Sequence, residues 1–284
     1  MKYLYALLLP LALVLGGCDM GMAHLAGRAT DEWTHTYPLK AGGEVRIVNT
    51  NGRIEVEPSD GAELVVRAEK IARAATDTGA RELLPKINIK EESSPERVSI
   101  ETGRIDGFLI GVGFEVRYHV RAPHGVAVNV ANTNGQISLT DLDGKVTART
   151  TNGGVVAKGL TGEVEARTTN GGVNLDVASV GKGAISAKTT NGGVSISLPQ
   201  DAKADLTATW TNGGMQVSPD LNVEVVDKSR RRFEGRMNGG GAAIDLHTTN
   251  GGIRIRPRSQ NAEATESEDS SDPPKAPKPP NPPR

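Results

Sequence analysis

Along most of this 284-residue chain, apolar and polar residues alternate with a period of two on either side of a recurring Asn-Gly. The pair falls at Asn51, Asn134, Asn152, Asn170, Asn191, Asn212, Asn238 and Asn250, and the steps from 134 to 212 are 18, 18, 21 and 21 residues. Six residues before the asparagine stand Val45, Val128, Val146, Val164, Ile185, Leu206 and Ile244; four before stand Ile47, Val130, Ala148, Ala166, Ala187, Ala208 and Leu246. Three after stand Ile54, Ile137, Val155, Val173, Val194, Met215 and Ile253; five after stand Val56, Leu139, Ala157, Leu175, Ile196, Val217 and Ile255. Thr, Glu, Arg, Lys, Ser and Asn fill the positions between. This alternation predicts a strand before and a strand after each Asn-Gly.

A lone Asn-Gly suggests a two-residue hairpin. Serial recurrence points elsewhere, because units repeating near every twenty residues bury their apolar faces against one another. The pattern predicts an all-β chain: a right-handed parallel β-solenoid of TNGG repeats 18–21 residues long, with one inserted helix. The hand follows from the preference of parallel crossovers. In this reading each asparagine is left-handed and the Gly pair turns the corner. Like residues then sit about 4.8 Å apart, and Asn51, Asn134, Asn152, Asn170, Asn191, Asn212 and Asn250 form a hydrogen-bonded ladder. The Ala row implies a narrow interior. Turn signals at "DLDG" (141–144), "LTG" (160–162), "GKG" (181–183) and "PQDA" (199–202) mark a second corner.

Two stretches break the rhythm. Residues 67–130 read as an irregular insert. Its "RAEKIARAATDTGARELLPKINIK" (67–90) begins as a helix that Pro85 stops, and 97–123 reads as two strands about a Gly-rich connection. Between Leu221 and Gly241 the pattern also fails. Asn212 and Asn250 are 38 residues apart, so a degenerate coil is expected there, with Asn238 out of phase and Arg230–Arg232 in a solvated loop.

The ends are of another kind. Residues 1–17 read as a signal peptide, with Lys2 ahead of the apolar run "YLYALLLPLALVL", a length suited to a secretory segment and short for a membrane span. The run ends in "LGGC", which looks like a lipobox and makes Cys18, the only cysteine, the expected lipidation site. Acyl chains there would anchor the protein in a membrane. Residues 18–39 read as a tether, 40–257 as the repeat domain and 258–284 as an acidic, Pro-rich tail. From Ser259 on, that tail holds five acidic residues, three basic ones and seven of the sixteen prolines, a composition that cannot bury a core. Its P-x-x-P spacing (Pro274, Pro277, Pro280, Pro283) could dock on an aromatic groove, but the segment reads first as a plain spacer.

With Lys2 and the tail set aside, 33 basic and 34 acidic residues reduce to 29 of each. No basic excess drives nucleic-acid binding, and 3% aromatics supply no base-stacking platform. The histidines (24, 35, 119, 124, 247) share no metal or triad spacing. Calcium repeats would need an Asp recurring with the glycines, and only Asp176 follows a TNGG closely. Asp141, Asp143 and Glu163 could flank a sugar at one corner but read more simply as turn formers. The Gly-Gly pairs lack a phosphate-loop lysine. No cofactor or metal is expected. One pattern rises above the rest: outward-facing Arg149, Arg167 and Lys188 lie three residues before successive asparagines, followed by Thr209 and then His247. Stacked coils would make them a file of cations, which reads first as indifferent solvated surface and otherwise as an anion-binding stripe.

Taken together, the envelope signal, the "NTNG" at 49–52, "ARELLPKINIK" (80–90), "RAPHGVAVNVANTNGQI" (121–137) and the serial TNGG-[VI] units resemble a bacterial family of β-strand-repeat "putative adhesins", a domain of unknown function on envelope proteins. The resemblance covers Val45–Pro257. It implies a β-helix-like fold and a binding role, with no established activity and no functional residue to carry over. The expected protein is a non-enzymatic cell-envelope lipoprotein with a binding or scaffold surface. It would face the periplasm or the outside, held to the membrane through Cys18, with an anionic envelope glycan, a lipid or another envelope protein as partner. Alternatives are a polysaccharide-active β-helix enzyme and a regulatory lipoprotein acting through an envelope partner. Cys18→Ser should release the protein from the membrane fraction or block its processing; an unchanged membrane fraction on cell fractionation would argue against lipidation.

Overall fold

The computed structural model describes residues 26–103, 111–181 and 183–259. The signal peptide, Cys18, His24 and residues 260–284 of the tail lie outside them. The described chain opens with β1 (Gly27–Pro38), β2 (Glu44–Asn51), β3 (Ile54–Ser59) and β4 (Glu63–Ala74). A short helix α1 (Asp77–Leu83) and a 3-10 turn at Leu84–Lys86 lead into β5 (Ile89–Ser93), β6 (Arg97–Thr102) and β7 (Val112–Pro123). Four corner-linked pairs follow: β8 (Ala127–Asn134) with β9 (Ile137–Thr140), β10 (Val146–Asn152) with β11 (Val155–Leu160), β12 (Val164–Asn170) with β13 (Val173–Val177), and β14 (Ile185–Asn191) with β15 (Val194–Leu198). The chain ends with β16 (Ala204–Asn212), β17 (Met215–Val217), β18 (Val223–Lys228), β19 (Arg232–Met237), β20 (Ala242–Asn250) and β21 (Ile253–Pro257).

The fold is all-β. Among the described residues the strands make two sheets, of order β1-β4-β7-β3-β9-β11-β13-β15-β21-β17 and β18-β19-β16-β20-β14-β12-β10-β8-β2-β6-β5. The strand before each Asn-Gly lies in one sheet and the strand after it in the other, so the motif is a corner between sheets and not a hairpin. Neighbours from β2 to β16 and from β3 to β17 run parallel and in register, with Val146 beside Val164, Ala148 beside Ala166 and Asn152 beside Asn170. The aligned apolar rows make the core. All of their residues are buried except Met215 and Val217, which are partly buried in the terminal pair.

The corner explains the repeat. Each asparagine donates its Nδ2 to the Oδ1 of the next, from Asn134 onto Asn51 (2.7 Å) through Asn152, Asn170, Asn191 and Asn250 to Asn212 (2.8 Å each). The left-handed residue differs from the expected one. The asparagines keep ordinary backbone angles, and the first glycine takes the positive φ, 151° at Gly171. There a Cβ would lie 2.1 Å from the Gly153 carbonyl oxygen of the rung below, whereas at Gly172 its nearest contact is 3.4 Å away. Only the first glycine is demanded by geometry, which is why Arg53 and Gln136 can stand in the second place. The first glycine's carbonyl also accepts a buried hydrogen bond: Thr168 Oγ1 donates to Gly153 O, Thr189 Oγ1 to Gly171 O and Thr248 Oγ1 to Gly192 O, each at 2.8 Å.

Three expectations are overturned. Glu63–Ala74 is a strand, in place of a helix beginning at 67, and only Asp77–Leu83 is helical, with Thr76 Oγ1 accepting from Gly79 N. Ala, Glu, Lys and Arg favour a helix, but pairing on both edges, with β1 and β7, outweighs that weak preference. Second, residues 27–38 of the presumed tether form β1, paired with β4 along its whole length. Third, Leu221–Gly241 holds no degenerate coil. β18 and β19 form an antiparallel hairpin on the edge of β16, and β20–β21 returns to fill the slot between β14–β15 and β16–β17. An antiparallel hairpin needs a free edge, so the unit it pairs with must be terminal.

Gly171→Ala should cost on the order of 3 kcal/mol or more, through strain and the clash with the rung below. Gly172→Ala should stay close to wild type. Urea midpoints of the two variants measure the contrast.

Candidate functional site

Arg149, Arg167 and Lys188 stand side by side on β10, β12 and β14. The file continues through His247 to Thr209, the reverse of the sequence-based order, because β20 lies between β14 and β16. Carboxylates from the same face lace it together. Glu165 accepts from Arg149 (2.8 Å) and Arg167 (2.7 Å), and Asp245 pairs with Lys188 (2.8 Å). The Arg149 hydrogen bond is the main reason that the Glu165 carboxyl is held below its usual range. Three cations thus face two carboxylates, and the surface keeps a single positive surplus along the file.

Sequence reasoning missed a groove of about 880 Å³ where the corner stack meets β4 and β7. Four of its carboxylates are tied to arginines: Glu32 to Arg67 (2.7 Å), Glu55 to Arg53 (3.0 Å), Glu115 to Arg117 (2.6 Å) and Glu69 to Arg117 (3.5 Å). His119 beside them contacts Glu57 (3.1 Å). No spacing in the sequence marks this cluster, because β7 joins the stack by pairing with the distant β3 and β4 reaches it only through antiparallel pairing with β7.

Behind the groove lies a buried polar chain. Tyr118 Oη and Thr102 Oγ1 are 2.8 Å apart, Thr102 donates to Asn49 Oδ1 (2.8 Å), and Asn49 Nδ2 donates to Val116 O (2.8 Å). Asn49 occupies the place that threonine holds in later rungs, and that alignment is the signal that could have found it. Burial pushes the Tyr118 phenol up to about 12, against a smaller opposing effect of its Thr102 hydrogen bond. Near the far edge of the same sheets, burial and the adjacent Glu91 carboxylate raise the Tyr37 phenol.

The remaining candidates occupy structural positions. Asp143 accepts from Gly125 N (2.8 Å) and pairs with His124, Glu163 pairs with Lys145, and Asp141 has a φ of 49°. Asp176 binds Arg258 (2.7 Å). His35 contacts Glu91 and stacks on Trp33, and His247 contacts Thr209. Among the described residues no group of His, Cys, Asp and Glu is placed to hold a metal ion.

A family model described as Toastrack DUF4097 matches residues 119–256, from within β7 to the last residues of β21. The match is shorter than the stretch over which the sequence resembles the adhesin family, and it leaves β1–β6 outside. The matched segment carries the cation file, and the arginine-rich groove straddles its start. No curated protein matches the chain. Among solved structures, one described as a "putative cell adhesion protein" from Clostridium sporogenes is 11% identical, covering 81% of this chain and 100% of its own, with a TM-score of 0.46. A "putative adhesin" from Bacteroides fragilis is 11% identical, covering 80% and 97%, with a TM-score of 0.34. A "putative lipid binding protein" from Parabacteroides distasonis is 10% identical, covering 80% and 97%, with a TM-score of 0.29.

Tyr118 sets an alkaline limit on the repeat domain. Its phenol is raised in the folded state, so its contribution is complete below pH 10 and is lost as pH rises from 10 towards 12. The loss amounts to about 2–3 kcal/mol. Chemical denaturation at stepped pH should show the fall, with a flatter profile for Tyr118→Phe.

Proposed function

We propose that this chain is a non-enzymatic cell-envelope lipoprotein, anchored through Cys18, whose repeat domain is a right-handed β-solenoid presenting a binding or scaffold surface. The observation that carries this reading is the in-register stack itself. Corners, inner threonines and apolar rows consume the repeated positions, and what remains outward-facing is a flat array of like side chains on adjacent rungs. Such an array suits an extended partner that meets successive rungs, each contact modest. The Arg149–Arg167–Lys188 file is the part of it suited to an anionic glycan or lipid headgroup. Glu165 and Asp245 temper that face, so a ligand anion must compete with existing ion pairs.

The groove near Tyr118 is the observation that bears on a polysaccharide-active reading, since several carboxylates converge there. Their arginine pairing favours recognition over acid–base chemistry, and binding is therefore the reading we advance.

Binding of anionic phospholipid vesicles and of a polyuronate at low ionic strength tests the proposal. It should weaken steeply with salt, since screening sets in over about 10 Å at 0.1 M, and fall in steps as Arg149, Arg167 and Lys188 are changed to Gln. Glu165 and Asp245 lose their partners in that triple variant, so stability should fall by no more than about 1 kcal/mol. Undiminished binding by the triple variant would remove the cation file from the proposal, and release of new chain ends from the polyuronate would favour the enzyme.

A further inference from the structure

The stack ends on an apolar groove of about 790 Å³ bounded by β17, β21 and the β18–β19 hairpin. Trp210 and Phe233 supply its aromatic surface, with Val217 and Leu221 between. Its charged lining among the described residues is Lys228, Arg254 and Arg256, all cations. Trp210 stands where inner rungs place the threonine that bonds the neighbouring glycine carbonyl. Beside it, Asn212 donates to Asn250 as the last step of the ladder, and β17 is the edge of its sheet. Val225 on the groove wall and its neighbour Val226 are 55% and 56% exposed.

The chain itself holds a complementary segment. β21 forms part of the groove wall through Arg254, Ile255 and Arg256, and twenty-five residues follow Ser259. They run first through an acidic stretch with Glu263, Glu266, Glu268, Asp269 and Asp272, then through seven prolines between 273 and 283. We propose that the end groove is the docking site of this segment, residues 260–284, with its carboxylates against Lys228, Arg254 and Arg256 and its prolines on Trp210 and Phe233. Proline-rich segments pack on aromatic grooves at low entropic cost. Exposed ion pairs are individually weak, but covalent attachment raises the local concentration to about millimolar, so weak contacts suffice. A second copy is a poorer occupant, because a two-fold contact through this groove would oppose its cations to themselves.

The chain has two tryptophans, so Trp33→Phe leaves Trp210 as the only indole reporter. In that background the five acidic residues of the tail are changed to Asn or Gln and its prolines to Ser. The tail-substituted chain should show red-shifted Trp210 emission and stronger iodide quenching, and a synthetic 260–284 peptide should reverse both changes in low salt. Changing Lys228, Arg254 and Arg256 to Gln should abolish that rescue, with circular dichroism confirming that the sheets persist. Anionic phospholipid vesicles that perturb Trp210 only when the tail is substituted would support a groove covered by its own segment. Vesicles that perturb it equally in both chains would overturn the proposal in favour of a lipid site. Identical Trp210 emission and quenching in the two chains, with no response to the peptide, would overturn it outright.

Discussion

One close approach governs the rest: a glycine packed so tightly on the carbonyl oxygen of the glycine one rung below that no side chain fits between them. At Gly171 and its counterparts a methyl group would lie about 2 Å from that oxygen. The distance restricts register, because a shift that put the asparagine in that place would bring a side chain into the contact. Register in turn places asparagine over asparagine and threonine under glycine. Six amide links and the buried threonine bonds then follow as consequences of one steric condition. Each exposed amide link contributes little, since water competes for it, whereas the buried threonine bonds satisfy carbonyls that would otherwise be orphaned.

An in-register parallel stack has two open ends, and open strand edges invite further pairing. This chain closes its stack with antiparallel strands: β4 and β1 beyond β7, β5 beyond β6, and the β19–β18 hairpin beyond β16. The departure of β20–β21 from chain order follows from the same need. Were units placed strictly in sequence, the hairpin on β16 would block the slot that the final rung requires. Only β17, three residues long, is left as an edge of the parallel run without an antiparallel partner among the described strands.

What could be read from the sequence tracks these two regimes. Where every rung obeys the same local rule, alternation and spacing revealed the strand pairs, the inner rows and the ladder of Asn51 to Asn250. Where partners come from far along the chain, local pattern misled. Residues 63–74 carry helix-favouring side chains yet lie between β1 and β7, and nothing within that stretch announces either neighbour. The terminal unit did carry a mark. Trp210 in the threonine place and Thr209 in the cation file both depart from the consensus, as end units of repeat arrays do. The charged groove was illegible for the same reason as β4. Its arginines and glutamates lie in or beside β1, β3, β4 and β7, strands that only long-range pairing brings together.

The cation file shows how tightly the fold couples charge to register. Parallel stacking sets Arg149, Arg167 and Lys188 on neighbouring strands whatever their charge, so repulsion has to be offset locally. Glu165 does so by sitting two residues before Arg167 on the same face, where one carboxylate reaches two guanidinium groups. Asp245 does the same for Lys188 from the next strand in space, although 57 residues separate them in sequence. Such neutralisation lets a single-sign file persist without opposing the stack. On the proposed reading, an incoming anion would displace an exposed ion pair of small net worth and meet no preformed, fully desolvated site. On that proposal, the surface would favour many weak contacts along an extended ligand over one tight contact at a point.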